Sequence, residues 1–148
     1  MDIEKVKKIR EATGLSVKEI SNALAESGEN EIKALEILKS RGMQIAGKKS
    51  VRETKEGVIS AYVHGNGKIG VILELGSETD FVAKNEEFKK LAHELAMQVA
   101  SMNPKDTDEL LSQPFIKDGS TTIAGLINQH MARLGENIKI INFMRFEI

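Results

Sequence analysis

Three histidines, one glycine-rich turn and one acid–aromatic pair are where this chain could do chemistry. His64, His93 and His130 have no local partner at the spacing of a metal site or a catalytic triad. Gly65-Asn66-Gly67-Lys68-Ile69-Gly70 holds several glycines, but it joins two strand patterns and opens no helix. It therefore reads as a hairpin turn rather than a phosphate-cradling loop. There is no H-E-x-x-H and no nucleophile elbow. The absence of cysteine removes thiolate catalysis, disulfides and Cys-based zinc sites. An enzyme is not expected, nor is a cofactor or a bound metal.

The pair Asp80-Phe81 sits in the run Glu78-Thr79-Asp80-Phe81-Val82-Ala83-Lys84-Asn85-Glu86-Glu87-Phe88. The run falls between an alternating strand and a periodic helix. Phe81 belongs to neither period, so it is either a plug for the corner of the core or a tip offered to a partner. Asp80 either caps the following turn or acts on that partner. A phenylalanine inserted into a partner's cleft supplies ~1.5–3 kcal/mol by burial alone. A carboxylate beside it competes for donors and repels phosphate oxygens. His64, at the tip of the hairpin, is a solvated turn residue or a second contact. Tyr62, two positions earlier, is expected on the opposite side of that turn or packed beside the sheet.

The elements that must position these residues are legible from periodicity. Ile3, Val6 and Ile9 recur at helical spacing until Thr13-Gly14. Ser16, with Glu19 three residues on, has the capping-box spacing, and Ile20, Ala23 and Leu24 form the stripe that follows. Gly28-Glu29-Asn30 breaks it. A third helix is expected with Ile32, Leu35 and Leu38 inward and Gly42 as its cap. Helices this short are marginal alone, so residues 1–43 are expected to pack as a three-helix bundle. Residues 44–56, crowded with Lys48, Lys49, Arg52 and Lys55, read as a basic linker or a solvated helix.

From Gly57 the period is two. Val58, Ser60 and Tyr62 alternate with Ile59, Ala61 and Val63, and after the turn Ile69, Val71, Leu73 and Leu75 share one face. Asn85 is placed to cap a helix with Phe88, Leu91, Ala92, Leu95 and Val99 inward, ended by Asn103-Pro104. A helical turn at 107–113, a helix over Thr121–Leu134 and a last strand over Asn137–Ile148 follow. Imperfect alternation at Ile140-Ile141 marks that strand as central or bulged. The fold class is α+β: a three-helix module, then a core over 57–148 with a three-stranded antiparallel sheet packed by helices.

Composition narrows the partners. The chain has 148 residues, 41% hydrophobic and 29% charged, with net charge −1. That balance lacks the basic excess of a nucleic-acid binder. No run approaches the ~20 apolar residues that span a bilayer. The start, Met1-Asp2-Ile3-Glu4-Lys5, lacks the basic flank and apolar run of a secretory signal, so the chain reads as cytoplasmic.

Thr79-Asp80-Phe81-Val82-Ala83-Lys84-Asn85 resembles the core signature of the elongation factor Ts family. Other stretches resemble the family in the same order. They are Thr13-Gly14 with Ala23-Leu24, Gly42 through Gly57, Tyr62-Val63-His64-Gly65 with Ile69-Gly70-Val71, Leu111 through Asp118, Gly135-Glu136-Asn137-Ile138, and Arg145-Phe146-Glu147. The resemblance implies a guanine-nucleotide exchange factor that grips elongation factor Tu and wedges Asp80 and Phe81 beside its magnesium and phosphate site. Thr79, Val82 and Asn85 would contact the partner as part of the same wedge. His64 and Tyr62 would form a second contact, and Gly14, Leu15, Val17 and Lys49 a third. Ser21 and Asn22 stand where the family places a lysine pair. Longer members carry two core halves where this chain has one, which implies a homodimer with His64 of one copy and Phe81 of the other on one partner. The competing reading is a binding adaptor, because the Thr13-Gly14-Leu15-Ser16 turn lies where ubiquitin-associated bundles carry a recognition loop.

Overall fold

The computed structural model describes residues 2–49 and 52–148, with the backbone alone for residues 43–49. The chain forms two compact units, Met1–Lys49 and Ser50–Ile148.

The first unit holds α1 (Ile3–Thr13), α2 (Val17–Glu26) and α3 (Glu31–Lys49). Asp2 caps α1 at its N-terminus, and Gly14, with φ +70°, closes it. Ser16 and Glu19 form the expected reciprocal capping box on α2. The core contains Val6, Ile9, Ile20, Ala23, Leu24, Ala34 and Leu38, with Leu15 and Ile37 packed at its margin. Two expectations for α3 are corrected. Ile32 and Leu35 point to solvent, and Ala34, Ile37 and Leu38 take the inner face. Gly42 does not end the helix, which continues to Lys49 and makes the first part of the expected linker helical. An interior glycine costs only ~1 kcal/mol relative to alanine, which a helix of this length absorbs.

The second unit is built on a sheet of order β1-β2-β5, all neighbours antiparallel: β1 (Glu56–Val63), β2 (Ile69–Ser77) and β5 (Lys139–Glu147). Helices α4 (Asp80–Ala83) and α5 (Glu86–Met102) pack on this sheet. Val71, Leu73, Leu75 and Ile140 from the strands and Phe88, Leu91, Ala92, Leu95, Ala96 and Val99 from α5 form the core. Burying a leucine or phenylalanine of this kind contributes ~1.5–3 kcal/mol, so the apolar face of α5 is a principal source of stability. Asn85 caps α5 through Glu87 N, with Glu86 and Glu87 in the positive first turn. Asn103, at φ +45°, ends it. Arg145, on β5, donates from Nε and Nη2 to Ala100 O in the last turn of α5. Gly57 is required by close approach, since a Cβ there would stand 2.2 Å from Leu75 O.

The register shifts opposite Glu74 and Leu75, where Asn142 and Ile140 are the partners and Ile141 is passed over. The expected irregularity is therefore a bulge, and it lies on an edge strand, β2 being central. Between α5 and β5 run α6 (Thr107–Ser112), β3 (Pro114–Phe115), β4 (Asp118–Thr122) and α7 (Ile123–Leu134). The small β3–β4 hairpin is additional to the three expected strands. It is tied to α5 by Gln98, fully buried, whose Nε2 donates to Pro114 O at 3.0 Å and whose Oε1 accepts from Ile116 N at 2.9 Å. No helix among the described residues is long and apolar enough to cross a membrane.

Candidate functional site

The strand β2 ends at Ser77, and the chain turns at once into the four residues of α4. A single helical turn has no stability of its own, so its placement rests on neighbours. Thr79 is the N-cap, with its hydroxyl accepting from Val82 N at 3.3 Å. Capping therefore falls to Thr79, and Asp80 is the first helical residue. Val82 and Ala83 are buried and anchor the turn against β1, β2 and α5. Asp80 and Phe81 take the outer side.

Phe81 is 86% exposed, the second most exposed large apolar side chain among the described residues. The corner-plug reading of Phe81 is thereby excluded. The aromatic stands free on a turn whose other apolar side chains are locked down. Beside it, Asp80 forms an ion pair with Lys84 at 2.8 Å, one turn on. The hydrogen bond and charge of Asp80 raise the Lys84 pKa above its ordinary 10.5. Any stabilisation from this pairing is present below pH 10.5 and is lost as pH rises through the raised value. Asn85 is half-buried as the cap of α5, and its N–H donates to Val82 O at 2.9 Å in α4.

A second group lies at the hairpin. Residues 64–68 connect β1 to β2, with Gly67 N bonded to His64 O at 2.7 Å. Tyr62 and His64 fall on the same side, with Tyr62 Oη 3.1 Å from His64 Nδ1. Tyr62 also packs edge-on against His93 of α5, ring centroids 5.9 Å apart. Tyr62 thus packs beside the sheet, on the helix-covered side, and fixes the exposed His64. The Tyr62–His93 pairing crosses from β1 to α5 and has no local sequence signal.

In the first unit, Gly14 and Leu15 form the turn between α1 and α2, with Leu15 part-buried and Val17 exposed at the start of α2. The side chain of Lys49, like that of Lys48, lies outside the described residues.

The opposite face of the sheet is apolar and uncovered by helices of its own unit. Across the three strands Ala61 faces Ile72 and Met144, and Val63 faces Gly70 and Phe146. Ile59, Val63, Ile72, Met144 and Phe146 are between 51% and 72% exposed. Glu74 and Asn142 close one end of this face.

The described residues thus leave two apolar features exposed, Phe81 on the strand–helix corner and the outer face of the sheet. Comparison with known proteins gives the chain a family. The family model "Elongation factor TS" matches residues 78–148, which begin at the corner just described. Elongation factor Ts of Thermotoga petrophila is 38% identical over 191 aligned positions, covering 100% of this chain and 96% of that protein. Elongation factor Ts of Fervidobacterium nodosum is 38% identical over 188 positions, covering 97% of this chain and 95% of the relative. That of Acetivibrio thermocellus is 37% identical, covering 97% and 88%. The chain belongs to the elongation factor Ts family, a family of translation elongation factors. The alignment to the Thermotoga petrophila protein has 191 positions against the 148 residues of this chain, so within it the relative carries residues that this chain lacks.

Proposed function

We propose that this chain is a guanine-nucleotide exchange factor for elongation factor Tu, with Asp80 and Phe81 as the wedge. The observation that carries the reading is the exposed Phe81 on a turn pinned by the buried Val82 and Ala83. A rigid aromatic loses little entropy on insertion, so most of its ~1.5–3 kcal/mol of burial is available to displace what already occupies a cleft. Asp80 then places a carboxylate next to the partner's magnesium and phosphate ligands. Like charge weakens the hold on GDP, and the Lys84 partner is exposed enough to rotate away. His64 with Tyr62, and Gly14, Leu15, Val17 and Lys49 in the first unit, supply further contacts. Reciprocity requires that bound nucleotide loosens this protein's grip by the same factor, so it turns over without covalent chemistry. The setting is the cytoplasm, where the partner works.

The assay is release of fluorescent GDP from elongation factor Tu. Acceleration that saturates with added protein supports the reading. Binding without faster release would instead mark an adaptor.

The same reading takes the protein as a homodimer paired through the open sheet face. A single core supplies one wedge and one hairpin, and an apolar face of five large side chains is costly to leave in water. A second copy covers it by stacking sheet on sheet at ~10 Å. Sedimentation should show a dimer at micromolar concentration and a monomer for Ile72→Glu. A wild-type monomer would reject the pairing.

A further inference from the structure

The loop after α7 reaches back to the wedge. Gly135, at φ +76°, closes α7 in the left-handed conformation and turns the chain so that Glu136 faces the end of β2. Glu136 Oε1 accepts from Glu78 N at 3.1 Å and from Thr79 N at 3.0 Å, and its Oε2 accepts from Thr79 Oγ1 at 2.6 Å. The Thr79 hydroxyl in turn accepts from Val82 N. One carboxylate therefore holds both backbone amides that precede α4 and orients the hydroxyl that caps it. The contact is reciprocated, since Asn137 N donates to Glu78 Oε2 at 2.7 Å. Asn137 Nδ2 donates to Arg52 O at 2.7 Å, so the strap before β1 is gathered into the same knot. The base of the clamp is firm, because α7 is seated by Ile123, Leu126, Ile127 and Met131.

We propose that Glu136 is the positioning residue of the exchange wedge, setting the direction of Phe81 without touching the partner's nucleotide site. The proposal rests on the exchange reading above. Charge-assisted hydrogen bonds to backbone amides are the stronger class, and a four-residue helix has few other restraints. Removing the carboxylate leaves Val82 and Ala83 buried but lets the turn ahead of them rotate, so the wedge samples unproductive directions.

The test uses the whole 148-residue chain, as Glu136→Ala and Glu136→Gln. Amide hydrogen exchange is read on the free protein, and GDP release on its complex with elongation factor Tu. For Glu136→Ala, exchange at Glu78 and Thr79 should quicken by about 10- to 150-fold, the loss of a hydrogen bond to a charged acceptor, with α5 and β2 unchanged. Maximal GDP release should fall by about tenfold while the half-saturating concentration moves less. Glu136→Gln keeps one neutral acceptor for the two amides and should recover part of both. Unchanged protection at Thr79 overturns the clamp. So does protection lost evenly across α5 and β2, which would mark a general structural role. Lost protection with unaltered release overturns the assignment to the wedge. If the wild-type protein leaves GDP release unaltered, the exchange reading and with it the wedge role fail, while the amide arm still decides whether the clamp exists.

Discussion

Replacing Phe81 with alanine separates a wedge from a packing residue, because the two roles make opposite demands on stability. The side chain is 86% exposed, so little of its own surface is lost from its own chain on truncation. Truncation should therefore change unfolding free energy by no more than about 0.5 kcal/mol, as at ordinary surface positions. If the ring is buried in the partner during exchange, the loss is its transfer energy, ~1.5–3 kcal/mol. At ~1.4 kcal/mol per tenfold, GDP release at subsaturating protein should slow by about 10- to 150-fold. Stability is read conveniently from Tyr62, the single tyrosine in a chain without tryptophan, which reports the second unit alone. Urea unfolding followed by Tyr62 fluorescence, beside fluorescent GDP release, gives both numbers on one preparation. Wild-type release rates in Phe81→Ala would refute the wedge. A stability loss above about 1 kcal/mol would show that the ring packs within its own chain.

Gln98→Ala should destabilise the second unit by about 3 kcal/mol, since it strands Pro114 O and Ile116 N beside a new cavity. The shift in the Tyr62-monitored urea midpoint checks it, and a change under 1 kcal/mol would be inconsistent. Asp118 accepts from Ser120 Oγ at 2.6 Å and Ser120 N at 3.1 Å, which holds its carboxyl below the ordinary 3.8. Its contribution to the β3–β4 turn is present above pH 3.8 and is lost as pH falls through the depressed value. An NMR titration of its carboxyl carbon should show a midpoint below 3.8 that rises in Ser120→Ala.

What the sequence disclosed divides by the range of the interaction. The capping box at Ser16, the Asn85 cap, the alternation of Val71, Leu73 and Leu75, and the break at Asn103 depend on residues within one turn or one strand. All appear where their spacing puts them. The inner face of α3 is ambiguous in sequence because Ile32, Leu35 and Leu38 share helical spacing as well as Ala34, Ile37 and Leu38 do. Packing against α1 and α2 decides between them, and a small alanine lets helices approach closely. The β3–β4 hairpin has only two residues in its first strand and owes its place to the buried Gln98, a polar residue that gives no hydrophobic signal.

Phe81 shows the same division within the candidate site. Its own neighbourhood allowed it to point in or out, because the side chain belongs to neither flanking period. The choice is made by Val82 and Ala83, which claim the buried side of a turn too short to bury three. The turn itself is set by Glu136, 57 residues beyond Thr79 in sequence. The Gly135-Glu136-Asn137-Ile138 stretch resembles the family's but carries no local sign of a role. Only the fold brings that carboxylate to the amides it holds. A site resting on one helical turn needs such a remote strut, since local interactions in four residues cannot fix a direction against solvent. On the proposed reading the exposed aromatic and the distant acid form one device, in which the wedge is only as stiff as the loop that ends α7.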